Sequence, residues 1–235
     1  MDKYTKMVLL FVILMSIITI PIPPAMSLIP KPEPSSLLTY LLSITVGPVE
    51  AILLILLFTL DTIRTKFPLN LFIMLLHSIL ASVLTGIPFI EKEFNWVLIV
   101  TGSAVVLYIL LISIGAALPV DLSRHYIAVL IYDITVLVVT LAVSIGVYYG
   151  TGNYKLALVI LSFGLTALVI PYGLSCGQSA FGRPQFRTVN DDYCVAAFFV
   201  HMTLILLLTA INIGIPYLIL HNVLINQVNH FELGF

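Results

Sequence analysis

The sequence predicts an all-α integral membrane protein, a bundle of seven transmembrane helices, and three observations carry that prediction. First, 60% of the 235 residues are hydrophobic and only 9% are charged, against about 25% charged in a soluble domain. Second, seven apolar runs are each long enough to cross a bilayer, which takes roughly 20 helical residues. Third, these runs are continuously apolar, without the alternation of a barrel strand. Backbone in lipid must bond internally, so they are helices.

The runs lie at about 7–28, 37–60, 69–90, 96–118, 127–149, 154–176 and 194–220. The first has a second reading: Lys3 and Lys6, an apolar core and then PIPPAMS also fit a signal peptide. The absence of a small-x-small cleavage site, and the continuation of apolar residues to Ile29, favour a retained span. The second run carries Pro48 and Glu50, and an internal proline frees a carbonyl and kinks the helix. Pro68 and Pro119 mark points where chain enters or leaves a span. Gly86, Gly102, Gly115, Gly146 and Gly164 read as points of close helix approach. The longest polar interruption is LSCGQSAFGRPQFRTVNDDYCV, residues 174–195. The chain forms one polytopic domain over 1–235, and no internal repeat points to a transporter of inverted halves.

Orientation follows from Lys and Arg in the short loops. Lys3, Lys6, Arg64, Lys66, Arg124, Arg183 and Arg187 share the side of the N-terminus, and Lys31, Lys92 and Lys155 lie opposite. The N-terminus is therefore expected in the cytosol and the C-terminus in a lumen or outside. Cys176 and Cys194 then lie near the cytosolic face, where thiols stay reduced. A net charge of −1 gives no basic face for nucleic acid. The bilayer is the first partner. No phosphate loop, nucleophile elbow, CxxC pair or HExxH box is present, so neither an enzyme nor a cofactor is expected.

Function then rests on the polar groups inside the spans, where each charge costs about 2.5–3.5 kcal/mol on insertion scales and needs a partner or a wet cavity. Glu50, near the middle of the second span, is either a cation or proton site or a neutral carboxyl bonded to a freed carbonyl. His77, Asp133 and His201 share a depth of about 9–12 Å at 1.5 Å per residue. They form a titratable layer if their helices turn them to one cavity, and separate carbonyl-bonded side chains if they do not. Asn212 reads as helix-helix glue.

Two segments bring in a resemblance. IRTKFPLNLF, residues 63–72, with Arg64, Lys66, Pro68 and Asn70, and the run from Gln178 through DDYCVAAFFVHMTLILLLTAIN, with Asp191, Asp192, Tyr193, Ala196 and Ala197, resemble the transmembrane BAX inhibitor motif family. A shorter match is VDLS at 120–123. The resemblance implies a seven-span protein of the endoplasmic reticulum or another intracellular membrane, a calcium-permeable leak that modulates calcium homeostasis and restrains apoptosis. Calcium is then the permeant ion. It further implies a cytosolic latch of two aspartates, whose positions here are occupied by Cys176 and Thr203, with Gln178 closing the family's Asp-Thr-Gln triplet. An acidic residue of the family's third span falls near Ala81. A thiol and a hydroxyl cannot share a proton as two carboxylates do. Arg64, a gate cation by this resemblance, is left to Asp61, three residues earlier on the same helix face. Brevity and divergence also resemble the seven-span cluster of large cytomegaloviruses. The missing carboxylates keep an alternative open: a non-conducting viral membrane adaptor that alters the trafficking or turnover of host membrane proteins.

Overall fold

The computed structural model describes residues 3–29, 35–60, 65–90, 92–122, 126–182 and 192–232. The helices are α1 (Lys3–Thr19), α2 (Ile22–Ser27), α3 (Ser35–Thr59), α4 (Leu69–Gly86), α5 (Phe94–Ala117), α6 (Tyr126–Thr151), α7 (Tyr154–Phe181) and α8 (Tyr193–Glu232), with a 3-10 turn at Ile87–Phe89 after α4. No strand occurs among the described residues. Taking α1 and α2 together as one span, seven helices are long and apolar enough to cross a membrane. The protein is thus an all-α, multi-pass bundle suited to a lipid bilayer.

Local chemistry sets the breaks. α1 stops at Thr19 because Pro21, Pro23 and Pro24 have no N–H to continue its ladder; the proline-led α2 then restarts the same crossing, with Ala25 N donating to Pro21 O at 3.0 Å. Pro171 removes the bond that the Ala167 carbonyl of α7 would receive, and Tyr132 Oη of α6 donates to that oxygen at 3.4 Å. α8 begins at an N-cap: Asp192 Oδ1 accepts from Val195 N at 3.1 Å, satisfying an end donor and placing negative charge at the helix's positive end.

α8 is the axis of the bundle. Of its span, Tyr193–Ile213, 78% is buried, against 6% for the span in α6. α7 lies along one side of α8, α1 and α5 cover others, and α4 completes the wall, while α3 packs on α4 and α6 packs chiefly on α7. Val8, Phe11 and Met15 of α1 meet Val200, Leu204, Leu207 and Leu208 of α8 in one apolar core. The first helix is therefore part of the packed core.

α5 and α7 cross backbone to backbone. A Cβ on Gly115 would collide with the Leu174 carbonyl, and one on Gly177 with that of Ile112. Gly164 is similarly closed by Thr140, and Gly86 by Met26. Gly102 and Gly146 instead face open space, so the close-approach reading of those two is corrected: their helix faces meet no neighbour. Two span ends also move. α7 extends to Phe181, past the expected 176, and α8 continues as helix to Glu232, where a tail beyond 220 was expected.

Candidate functional site

Among the buried polar side chains of the bundle, one cluster drawn from four helices contains ionisable groups in contact. Glu50 of α3, His77, Ser78 and Ser82 of α4, His201 of α8 and Thr19 of α1 are all buried. Pro48 puts Glu50 just beyond a break in the α3 ladder. On α4, Ser78 and Ser82 share one helical face, as a spacing of four residues requires, and His77 lies on the adjoining face. α1 ends at Thr19, which sets its hydroxyl at the depth of His201.

Glu50 Oε1 and His77 Nδ1 form a short hydrogen bond. A carboxylate and an imidazole sharing one proton are together neutral whichever holds it, which is how the pair tolerates an apolar interior. The His77 ring lies edge-on to His201, centroids 5.6 Å apart, and is covered by Phe198 at 4.9 Å. His201 Nε2 is 2.7 Å from Thr19 Oγ1, which is 2.9 Å from Ser82 Oγ. Ser82 also reaches the Ser78 carbonyl of its own helix.

A hydroxyl carries one proton, so this chain has two self-consistent arrangements. In one, Ser82 donates to Thr19 and Thr19 donates to His201 Nε2, leaving the ring proton on Nδ1. In the other, His201 Nε2 donates to Thr19, Thr19 donates to Ser82, and Ser82 donates to the Ser78 carbonyl. The two differ in the His201 tautomer, so passing from one to the other takes rotation of both hydroxyls and transfer of the ring proton from Nδ1 to Nε2. Meanwhile Glu50 Oε2, His77 Nε2 and His201 Nδ1 are buried with no hydrogen-bond partner among the described residues. Each such atom costs about 1–3 kcal/mol when left unsatisfied.

The other candidate residues separate from this cluster. Asp133 shares its depth but sits on α6, which packs chiefly on α7, and its buried Oδ1 has no partner. The expected layer of His77, Asp133 and His201 is thus corrected to His77 and His201 with Glu50, because α6 lies at the bundle's rim. Among the described residues no group of three or more His, Cys, Asp or Glu is arranged to hold a metal ion. Gln178, wholly buried, holds the end of α5: its Oε1 accepts from Leu122 N at 2.8 Å and its Nε2 donates to Val120 O. Cys176 is buried, and its sulfur is in hydrogen-bond contact with the hydroxyls of Thr203 and Tyr172, so the two positions singled out by sequence do face each other across α7 and α8. Asp61 and Arg64 lie outside the described residues.

Sequence reasoning missed Thr19, Ser78 and Ser82. None of the three had a signal: the serines are one and five residues from His77, spacings that do not share a helical face, and only the fold carries Thr19 to His201. No family model, curated protein or solved structure matches the chain.

Proposed function

We propose that the protein is a diverged member of the transmembrane BAX inhibitor motif family and a calcium-permeable leak pathway of an intracellular membrane such as the endoplasmic reticulum, lowering store content and damping calcium-dependent death signals. Its gate is the interior acid–base cluster. The observation that carries this reading is the continuous set Glu50, His77, His201, Thr19 and Ser82 in the bundle interior, joined through hydrogen bonds and ring contact. Burying these groups is expensive, and a protein with no use for them is more stable with apolar ones.

The family reading is supported by two contacts. Asn70 and Tyr193, one from each segment on which the resemblance rests, are joined by a 3.1 Å bond from Nδ2 to Oη. Cys176 and Thr203 lie together where the family's carboxylate pair is expected. In this chain those two positions carry neutral side chains, and the interior acid–base cluster takes the place of a charged latch. With a single carboxylate the cluster supports transit of calcium rather than tight holding, for which six to eight oxygens are usual.

The test is calcium flux through purified protein in proteoliposomes from pH 5 to pH 8. A pH-dependent flux supports the proposal, and no flux at any pH overturns it. The second reading, a non-conducting adaptor, is favoured by α6, whose apolar face is almost entirely uncovered and open to another membrane protein. Co-purification of a defined membrane protein that is lost when α6 alone is altered, in a chain without flux, would establish it.

A further inference from the structure

At one end of the spans, between α4, α7 and α8, lies a cavity of about 550 Å3, within the about 300–1,000 Å3 usual for sites that take small molecules. It is separate from the acid–base cluster. Leu84, Pro88, Leu158 and Ile213 give it apolar walls, and Thr85, Thr209, Asn212 and Lys92 give it polar ones. The polar groups are of two kinds. Thr85 and Thr209 spend their protons on the carbonyls of Ala81 and Ile205, at 2.8 and 2.9 Å, so toward the cavity they only accept. Asn212 differs. It is 8% exposed, and no hydrogen bond of its amide is found among the described residues, so the amide is left to face the cavity. Lys92, half-buried at the mouth, has no carboxylate partner among the described residues, and Glu93, which opens α5, does not line the cavity.

We propose that this cavity binds the headgroup of an anionic phospholipid. The amide N–H of Asn212 and the ammonium of Lys92 both donate, and together they suit a phosphate oxygen. The apolar walls receive the glycerol and first methylenes. Location selects a lipid over a free anion. Leu84 and Thr85 lie in the last turns of the third span and Leu158 in the first turns of the sixth, so the cavity lies toward one end of these spans, where a bilayer turns from hydrocarbon to headgroup. The proposal does not depend on conduction.

The experiment uses the full chain in neutral detergent, with phosphatidylglycerol, phosphatidylcholine and inorganic phosphate as separate probes and native mass spectrometry as the readout. One saturable phosphatidylglycerol is expected per chain, retained over phosphatidylcholine and not displaced by millimolar phosphate. Lys92→Gln is expected to weaken retention about tenfold, the usual consequence of losing one charge-assisted bond of roughly 1.5–3 kcal/mol. Asn212→Leu weakens it comparably, and Lys155→Gln, a basic residue outside the cavity, leaves it unchanged. Lys92 is at the surface, so its variant keeps the test decisive even where Asn212→Leu fails to fold. Unsaturable binding, equal retention in wild type and Lys92→Gln, or displacement by free phosphate each overturns the proposal.

Discussion

His201 of α8 is bonded to Thr19 of α1 through Nε2 and Oγ1 at 2.7 Å, 182 residues apart in sequence. Thr19 is the last residue of its helix and His201 is fully buried, so the bond ties the opening span to the central one inside the bundle. Thr19→Val keeps the shape but leaves Nε2 unpartnered. The expected cost is about 1–2 kcal/mol, as for other interhelical bonds in membranes, and Thr19→Ser should recover most of it. Thermal unfolding of the three proteins in one detergent checks this.

The Glu50 and His77 pair gives a second prediction. Removing one partner of a buried pair strands the other, at about 3–5 kcal/mol. Glu50→Leu should therefore destabilise the bundle more than Glu50→Gln, whose amide still bonds the ring. Glu50→Leu with His77→Leu should be less harmful than Glu50→Leu alone. A double-mutant cycle in unfolding free energy reads the coupling directly.

The crossing of α5 and α7 predicts a contrast between glycines. Gly177→Val and Gly115→Val push side chains into the Ile112 and Leu174 carbonyls, and overpacking of this kind costs about 1–3 kcal/mol or more. Gly102→Val meets nothing within 4 Å and should be tolerated. Yield of monodisperse protein and melting temperature distinguish the two classes.

Cys176 and Thr203 provide a fourth test, because they touch. Replacing both with aspartate puts two carboxylates in contact in an apolar setting, where they share one proton. At low pH the proton is held and the pair is stable; as pH rises and it is lost, the charges repel. The double variant should thus be more stable at pH 5 than at pH 8 by a wider margin than wild type. Melting temperatures at the two pH values settle the sign.

Much of this fold is legible in the sequence because lipid leaves the backbone few choices. Seven apolar runs and the need for internal hydrogen bonds give the helices, and the prolines at 21, 48 and 171 give the breaks. Glu50, His77 and His201 also stand out, since ionisable groups in apolar runs are rare. Rotation about each helix axis is not legible. Depth alone groups Asp133 with the two histidines, yet α6 is held at the rim. Thr19 is an ordinary threonine beside a proline until α1 packs on α8. Whether a glycine is a contact or a bystander likewise depends on which helix crosses it, as Gly115 and Gly102 show on the same helix.

The central claim is that the Glu50, His77 and His201 cluster gates ion passage. Calcium flux through purified protein in proteoliposomes, measured from pH 5 to pH 8, tests it with Glu50→Gln and Asp133→Asn in parallel. The account predicts a pH-dependent flux that Glu50→Gln flattens or abolishes and Asp133→Asn leaves as in wild type. No flux at any pH, or a profile unchanged by Glu50→Gln, would contradict it.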